Sequence, residues 1–156
     1  MSLSSIEETS AQIRAGSLSP VGVVSECLQK IVANSKLNAF ITVLADRALA
    51  AARDAEREIA AGRWLGPMHG IPIGIKDFYD TAGIRTTAAY TAFETRMPAK
   101  DGAAVAQLKR AGAIIIGKTN MHELGMGSRR LANSTNPCSP SPERRGGQGV
   151  RPASAS

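Results

Sequence analysis

Ile71-Pro72-Ile73-Gly74-Ile75-Lys76-Asp77 alternates isoleucine with residues of another kind, whereas Ala113-Ile114-Ile115-Ile116-Gly117 does not alternate at all. In an extended chain successive side chains point to opposite faces. Ile71, Ile73 and Ile75 therefore share one face, and Pro72, Gly74 and Lys76 share the other. Such a strand aims Lys76 from a face with little side-chain bulk beside it. Pro72 has no N–H to give a neighbour, which points to a sheet edge or a strand start. The unbroken run 113–117 predicts a strand buried on both faces. Between the two, Asp101 is placed to cap a helix bearing Val105 and Leu108, and Gly112 to close it. Strand, helix and strand in that order predict an α/β unit.

Upstream the texture is helical. Ser5 with Glu8 makes a capping box before Ile6 and Ile13, so a first amphipathic helix should run to about Gly16. Ser19-Pro20 is a second start signal, and Val21, Val24, Leu28, Ile31 and Val32 recur at helical spacing up to about Asn34. These two helices read as an appended arm. Phe40 to Leu44 is a short apolar segment. Asp46 opens an Ala-rich helix ended by Gly62, with Leu49, Ala52 and Ile59 as its expected buried side. The expected organisation is a helical arm over 1–62, a partial α/β core over 63–131, and a disordered tail over 132–156. Pro137, Pro140, Pro142 and Pro152 interrupt that tail, and it lacks the apolar periodicity that would offset the cost of ordering. Before it, Asn120 is expected to cap a short helix over Met121 to Leu124.

The 156 residues, 43% of them hydrophobic, suffice for one domain with a genuine core. The net charge of +6 invites a nucleic-acid reading, but its location argues against one. From residue 129 onward five arginines stand against Glu143 alone, a surplus of four, so residues 1–128 carry only the remaining two. A near-neutral body with a basic, Pro-broken tail lacks the interleaved aromatics of a single-strand binder, and no direct nucleic-acid contact is expected. Cys27 and Cys138 lie far apart and suggest neither a disulfide framework nor a metal site, so a reducing cytoplasm is the default. The start lacks a basic region followed by an apolar one, and no apolar run approaches the ~20 residues of a membrane span. A soluble, unexported chain without cofactor or metal is expected, its oligomeric state unspecified.

Three blocks carry a resemblance. They are Gly66-Pro67-Met68-His69-Gly70-Ile71-Pro72-Ile73-Gly74-Ile75-Lys76-Asp77, then Asp80-Thr81-Ala82-Gly83-Ile84-Arg85-Thr86-Thr87, then Ala111-Gly112-Ala113-Ile114-Ile115-Ile116-Gly117-Lys118-Thr119-Asn120-Met121-His122-Glu123. In order and spacing they resemble the amidase-signature family, a group that includes bacterial amidases and the amidase subunit of tRNA-dependent amidotransferases. The resemblance covers roughly residues 1–128. It implies a large α/β fold, a mixed central sheet wrapped by helices and far longer than this chain. It also implies hydrolysis of carboxylic amide C–N bonds, with a small amide or glutamine as the full-length family's substrate, by a Ser-Ser-Lys triad. Carried over, Lys76 matches the catalytic lysine. The family's bridging serine, with its cis peptide bond, lies in a serine-glycine stretch after an Asn-Pro turn, and the nucleophilic serine, which forms the acyl-enzyme, follows in a further Gly-rich block.

Here the chain departs from the pattern. Asn136-Pro137 matches the turn, yet Glu143-Arg144-Arg145-Gly146-Gly147-Gln148-Gly149 replaces the serine-glycine stretch. The lysine must be a neutral amine to accept a proton, and burial against the isoleucine-lined strand is expected to supply part of the desolvation that favours that form. Without the two serines Lys76 has nothing to activate, so an inactive N-terminal fragment is the expectation. The alternative is a small stand-alone interaction module built on the family's scaffold. The unblunted Ala113 to Gly117 strand favours the fragment, which should expose an apolar sheet edge or face. His69 and His122 have no ligand-spaced partners and read as structural, Asp77 and Asp80 read as turn-formers, and Arg144-Arg145 as part of a solvated tail.

The tail also permits a reading-frame break. Gly147 to Ala153 is encoded by GGN CAR GGN GTN CGN CCN GCN, and starting at the third base gives NCA RGG NGT NCG NCC NGC, which can spell Pro-Gly-Gly-Ser-Ser-Gly. Sequencing the coding DNA and some hundreds of bases downstream is expected to show that shifted frame running on into an open stretch with a second serine-glycine block. A shifted frame that closes at once would end the idea.

Overall fold

The computed structural model describes residues 5–126; the tail expected over 132–156, and with it Cys138 and the 144–145 arginines, lies outside them. Helix α1 (Ile6–Arg14) starts as its capping box dictates, with the Ser5 hydroxyl accepting from the Glu8 N–H at 3.1 Å and the Glu8 carboxylate accepting from the Ser5 N–H at 2.9 Å. Helix α2 (Pro20–Ala33) opens on Ser19, whose hydroxyl accepts from the Gly22 N–H, with Pro20 in the first turn, where a missing N–H costs nothing. Strand β1 (Phe40–Val43) and helix α3 (Ala45–Ala60) follow, then strand β2 (Pro72–Lys76), helix α4 (Ala103–Arg110) and strand β3 (Ile114–Thr119).

The sheet order is β1-β3-β2, with β1 antiparallel and β2 parallel to β3, so the sheet is mixed. The unbroken apolar run is thus the central strand, and the strand with the proline lies at the edge of the described sheet. Because side chains alternate, β3 feeds two cores. Ile114 and Ile116 pack with Val24 and Leu28 of α2 and Ala48, Ala52 and Ala55 of α3. Ile115 packs on the opposite face with Ile75 of β2 and Val105 of α4.

Helices α2 and α3, both within the region expected as a helical arm, lie on the sheet as one of its two covering layers. Three expectations need correction. The β3 run exposes no apolar face, because β1, β2 and both helical layers enclose it. The buried side of α3 is Ala48, Ala52 and Ala55, with Leu49 and Ile59 only half-buried. Methyl groups let α3 approach α2 and β3 closely, and the larger side chains are displaced to its flanks. Asp101 does not cap α4, whose N-cap is Gly102; its carboxylate instead accepts from the Ala82 N–H at 2.7 Å and from Lys109 at 2.8 Å. Among the described residues no helix is long and apolar enough to cross a membrane.

Gly117 shows how tightly β1 lies on β3. A Cβ there would sit 2.5 Å from the Thr42 carbonyl oxygen and 2.7 Å from Phe40 Cδ1. Gly117→Ala is expected to destabilise the protein by about 1–3 kcal/mol or more, because backbone cannot give way as a side chain can. Gly22→Ala within α2, where the added methyl meets only ordinary contacts, should instead stabilise by about 0.5–1 kcal/mol. Urea unfolding midpoints of both variants read the two signs.

Candidate active site

Lys76 is the last residue of β2, at the carboxyl end of the parallel pair, with Thr119 of β3 as its register partner. Crevices at the carboxyl ends of parallel strands are where open α/β sheets bind ligands. The side chain leaves on the face of Gly74, and a Cβ at Gly74 would sit 2.9 Å from Thr119 Cγ2, so that face of the edge strand has no room for bulk. Lys76 is exposed, and its Nζ lies 3.9 Å from where a Gly125 Cβ would stand. Among the described residues its ammonium has no hydrogen-bond or ion-pair partner. The desolvation expected from the isoleucines is absent because Ile73 and Ile75 face the other side of the strand, toward α4.

The buried lysine is a different one. Lys118 and Asp77 are both 0% exposed, with Nζ and Oδ1 3.9 Å apart. The Lys118 ammonium donates to the Tyr79 carbonyl at 2.5 Å, to Thr81 Oγ1 at 3.0 Å and to Thr86 Oγ1 at 2.9 Å, which uses all three of its protons. Burial pushes its pKa down from the usual 10.5 to about 8, against the opposing pull of the Asp77 and Asp80 carboxylates. Asp77 Oδ2 accepts from the Thr87 N–H at 2.9 Å and the Thr87 hydroxyl at 2.6 Å, and Oδ1 has no hydrogen-bond partner. The Lys118 charge is its nearest compensation. Asp77 is therefore more than a turn-former.

The loop from 77 to 101 is closed by its own polar contacts. Arg96 grips Asp80 through both carboxylate oxygens at 2.7 Å, and its hydrogen bond holds the Asp80 carboxyl below the usual range. Lys109 does the same for Asp101. Ala88 and Ala89 adopt φ of 51° and 54°, and Leu124 of 50°. Three of the four described non-glycine residues in this disfavoured region thus meet beside Lys76, where the Leu124 N–H donates to the Ala88 carbonyl at 2.8 Å. Such strain costs roughly 1–2 kcal/mol per residue and gathers where surrounding bonds over-determine the chain.

The other sequence candidates lie elsewhere. His69 is buried, its Nδ1 accepting from the Leu65 N–H at 3.3 Å and its Nε2 3.2 Å from Glu58. A Cβ at Gly112 would come within 2.6 Å of it, so His69 wedges the entry to β2 against the end of α4. His122 precedes a 3-10 turn over Glu123–Gly125, which replaces the helix expected over 121–124. Asn120, just past β3, donates to the carbonyl of Asn38 ahead of β1 at 2.9 Å and accepts from the Met121 N–H at 2.8 Å. Among the described residues no three His, Cys, Asp or Glu side chains gather as a metal would require. Lys118, Thr81, Thr86 and Thr87 were missed as a group. The signal was present, since a lysine that continues a strand buried on both faces must itself be buried and partnered.

Residues 22–141 match the family model described as Amidase. The chain is 42% identical over 134 residues to a glutamyl-tRNA(Gln) amidotransferase subunit from Geobacter sp. (strain M21), covering 85% of this chain and 27% of that one. It is 40% identical over 136 residues to an amidase from Pseudomonas putida, covering 86% and 28%. Among solved structures it resembles the native peptide amidase from Stenotrophomonas maltophilia with a TM-score of 0.74 and 34% identity, over 78% of this chain and 26% of that one. The chain spans about a quarter of the length of these relatives.

Removing one member of the buried pair strands the other. Lys118→Met is expected to cost about 3–5 kcal/mol at neutral pH, with Asp77→Asn in the same chain recovering much of it. Below about pH 8 Lys118 is protonated in the folded and unfolded chain alike, and between there and 10.5 the unfolded chain holds the extra proton. Stability from this group therefore rises with pH across that window. The gap between the native protein and Lys118→Met, followed by urea unfolding, should widen from pH 8 to 10; a gap that narrows contradicts the assignment.

Proposed function

The chain belongs to the amidase family, and on that premise we propose that it is the N-terminal portion of a hydrolase of carboxylic amide C–N bonds, with Lys76 as the lysine of a Ser-Ser-Lys triad. The observation that carries the reading is the place of Lys76. It stands at the carboxyl end of a parallel strand, beside the strained 86–90 and 121–125 segments, within the matched residues. In this role the neutral amine takes a proton from the bridging serine, which takes one from the nucleophilic serine as that oxygen attacks the amide carbonyl. The same proton is then returned toward the departing amine. An amine exposed among residues 5–126 needs further polypeptide over it to favour the neutral form, and the same polypeptide would bring the serines.

By itself the 156-residue chain, which holds the lysine without the family's serine-glycine blocks, is inactive in this reading. Small amides are the substrate class, or glutamine where the full-length protein serves in an amidotransferase complex, in a soluble cytoplasmic setting. The second reading, an interaction module on the family's scaffold, draws on the exposed Phe78 and Tyr79, whose rings meet edge to face, as apolar surface suited to contact with other polypeptide.

The chain alone is expected neither to hydrolyse simple aliphatic or aryl amides nor to take up a fluorophosphonate probe. A chimera in which the remaining three quarters of the Pseudomonas putida amidase follows residue 126 should hydrolyse them. There Lys76→Ala should lower kcat by about 10²–10⁴-fold, as expected for loss of a general base. Turnover by the chain alone, or a chimera indifferent to Lys76→Ala, would sink the proposal.

A further inference from the structure

We propose that Lys118 is a positioning residue for Lys76: its buried ammonium staples the loop after β2 to the central strand and so fixes where the Lys76 amine stands. This rests on the reading of Lys76 given above. The linkage is a closed circuit of short bonds. The Lys76 carbonyl accepts from the Tyr79 N–H at 3.0 Å, closing a turn, and the Tyr79 carbonyl is what the Lys118 ammonium holds. The same ammonium holds Thr81 and Thr86 further round the loop. Next to Thr86, the Thr87 N–H and hydroxyl return to the Asp77 carboxylate, and the Ala88 N–H returns to the Asp77 carbonyl at 3.0 Å. The Ala88 carbonyl then receives the Leu124 N–H, which sets Gly125 against Lys76 Nζ.

Geometry explains why a lysine stands at 118. The three acceptors converge on one point at the end of a strand that leaves no exposed surface, and Asp77, itself buried, needs a cation nearby. A three-proton point charge on a flexible stem meets all four demands, whereas a planar guanidinium has a fixed fork. No hydrogen bond of the circuit is made by the Lys76 side chain, so Lys118 acts on Lys76 through the backbone that carries it and through the Gly125 segment set against its Nζ.

The test measures the placement of Lys76 without requiring catalysis. In the full chain, acetylation of Lys76 by acetic anhydride is compared with that of the exposed Lys36, and amide hydrogen exchange is followed at Thr87, Ala88, Leu124 and Ile115. Two variants are used: Asp77→Asn with Lys118→Met, which removes the charges together, and the milder Thr81→Val with Thr86→Val, which removes two acceptors at nearly constant volume. Where the far-ultraviolet dichroism stays native, the expected result has two parts. Exchange at Thr87, Ala88 and Leu124 should be about tenfold faster, with Ile115 protected. The Lys76 to Lys36 acetylation ratio should shift by about threefold or more, and less in the threonine pair. A folded variant with an unchanged Lys76 to Lys36 acetylation ratio, whether or not exchange quickens, would overturn the proposal and leave Lys118 a purely structural residue. That outcome is distinct from failure of the amidase reading, which the chimera decides through Lys76→Ala.

Discussion

Strand β3 is covered on both faces and paired along both edges, and the two neighbouring strands and both covering helical layers take their places from that. A strand in such a position must offer apolar surface in both directions, which Ile114, Ile115 and Ile116 do in succession. Where it continues past Gly117 into Lys118 the same enclosure persists, and the residue it encloses is charged. Desolvating an ammonium is costly unless it is paired and fully hydrogen-bonded, so the loop from Asp77 to Thr87 is drawn in to supply the partners. The apolar half of β3 builds the core; its polar end organises the loop beside the candidate active site.

Two lysines one strand apart illustrate how environment divides roles. Lys118 shares its face with the buried carboxylate, has every proton engaged, and titrates well below an ordinary lysine because of burial. Lys76 sits at the end of an edge strand on the face made bare by Gly74 and remains exposed. By burial alone Lys118 would be taken for the perturbed, reactive group, yet no reactant can approach it. A lysine that is to exchange protons with a serine must be reachable, and in these residues only Lys76 meets that condition at the carboxyl end of the parallel pair.

Membership of the amidase family is settled by the match over residues 22–141, and the aligned residues account for about a quarter of its relatives' length. That quarter is internally consistent, with two cores and a mixed sheet. Three left-handed non-glycine residues stand beside Lys76: Ala88 and Leu124 are bonded to each other, Ala88 also to the Asp77 carbonyl, and the Ala89 N–H donates to the Thr87 hydroxyl. Backbone strain concentrated at one end of the sheet agrees with a functional site there.

The residues themselves determined the caps at Ser5 and Ser19, the burial of 113–117 on both faces, the place of Pro72 at a strand start on the edge of the described sheet, and through three spaced blocks the family. Each depends on local chemistry or on a periodicity written along the chain. Tertiary structure alone decided that Asp101 braces the 82 and 109 segments instead of capping α4, and that α3 presents its alanines inward. It likewise brought Asp77, Thr81, Thr86 and Lys118 to one point. Those outcomes depend on which surfaces meet between segments apart in sequence, as in the Asp101 bond to Ala82, 19 residues away, and the Lys118 bond to Thr86, 32 residues away. A polar side chain carries no mark in sequence of whether its partner is water or another buried group; only the packing of the elements around it supplies that answer.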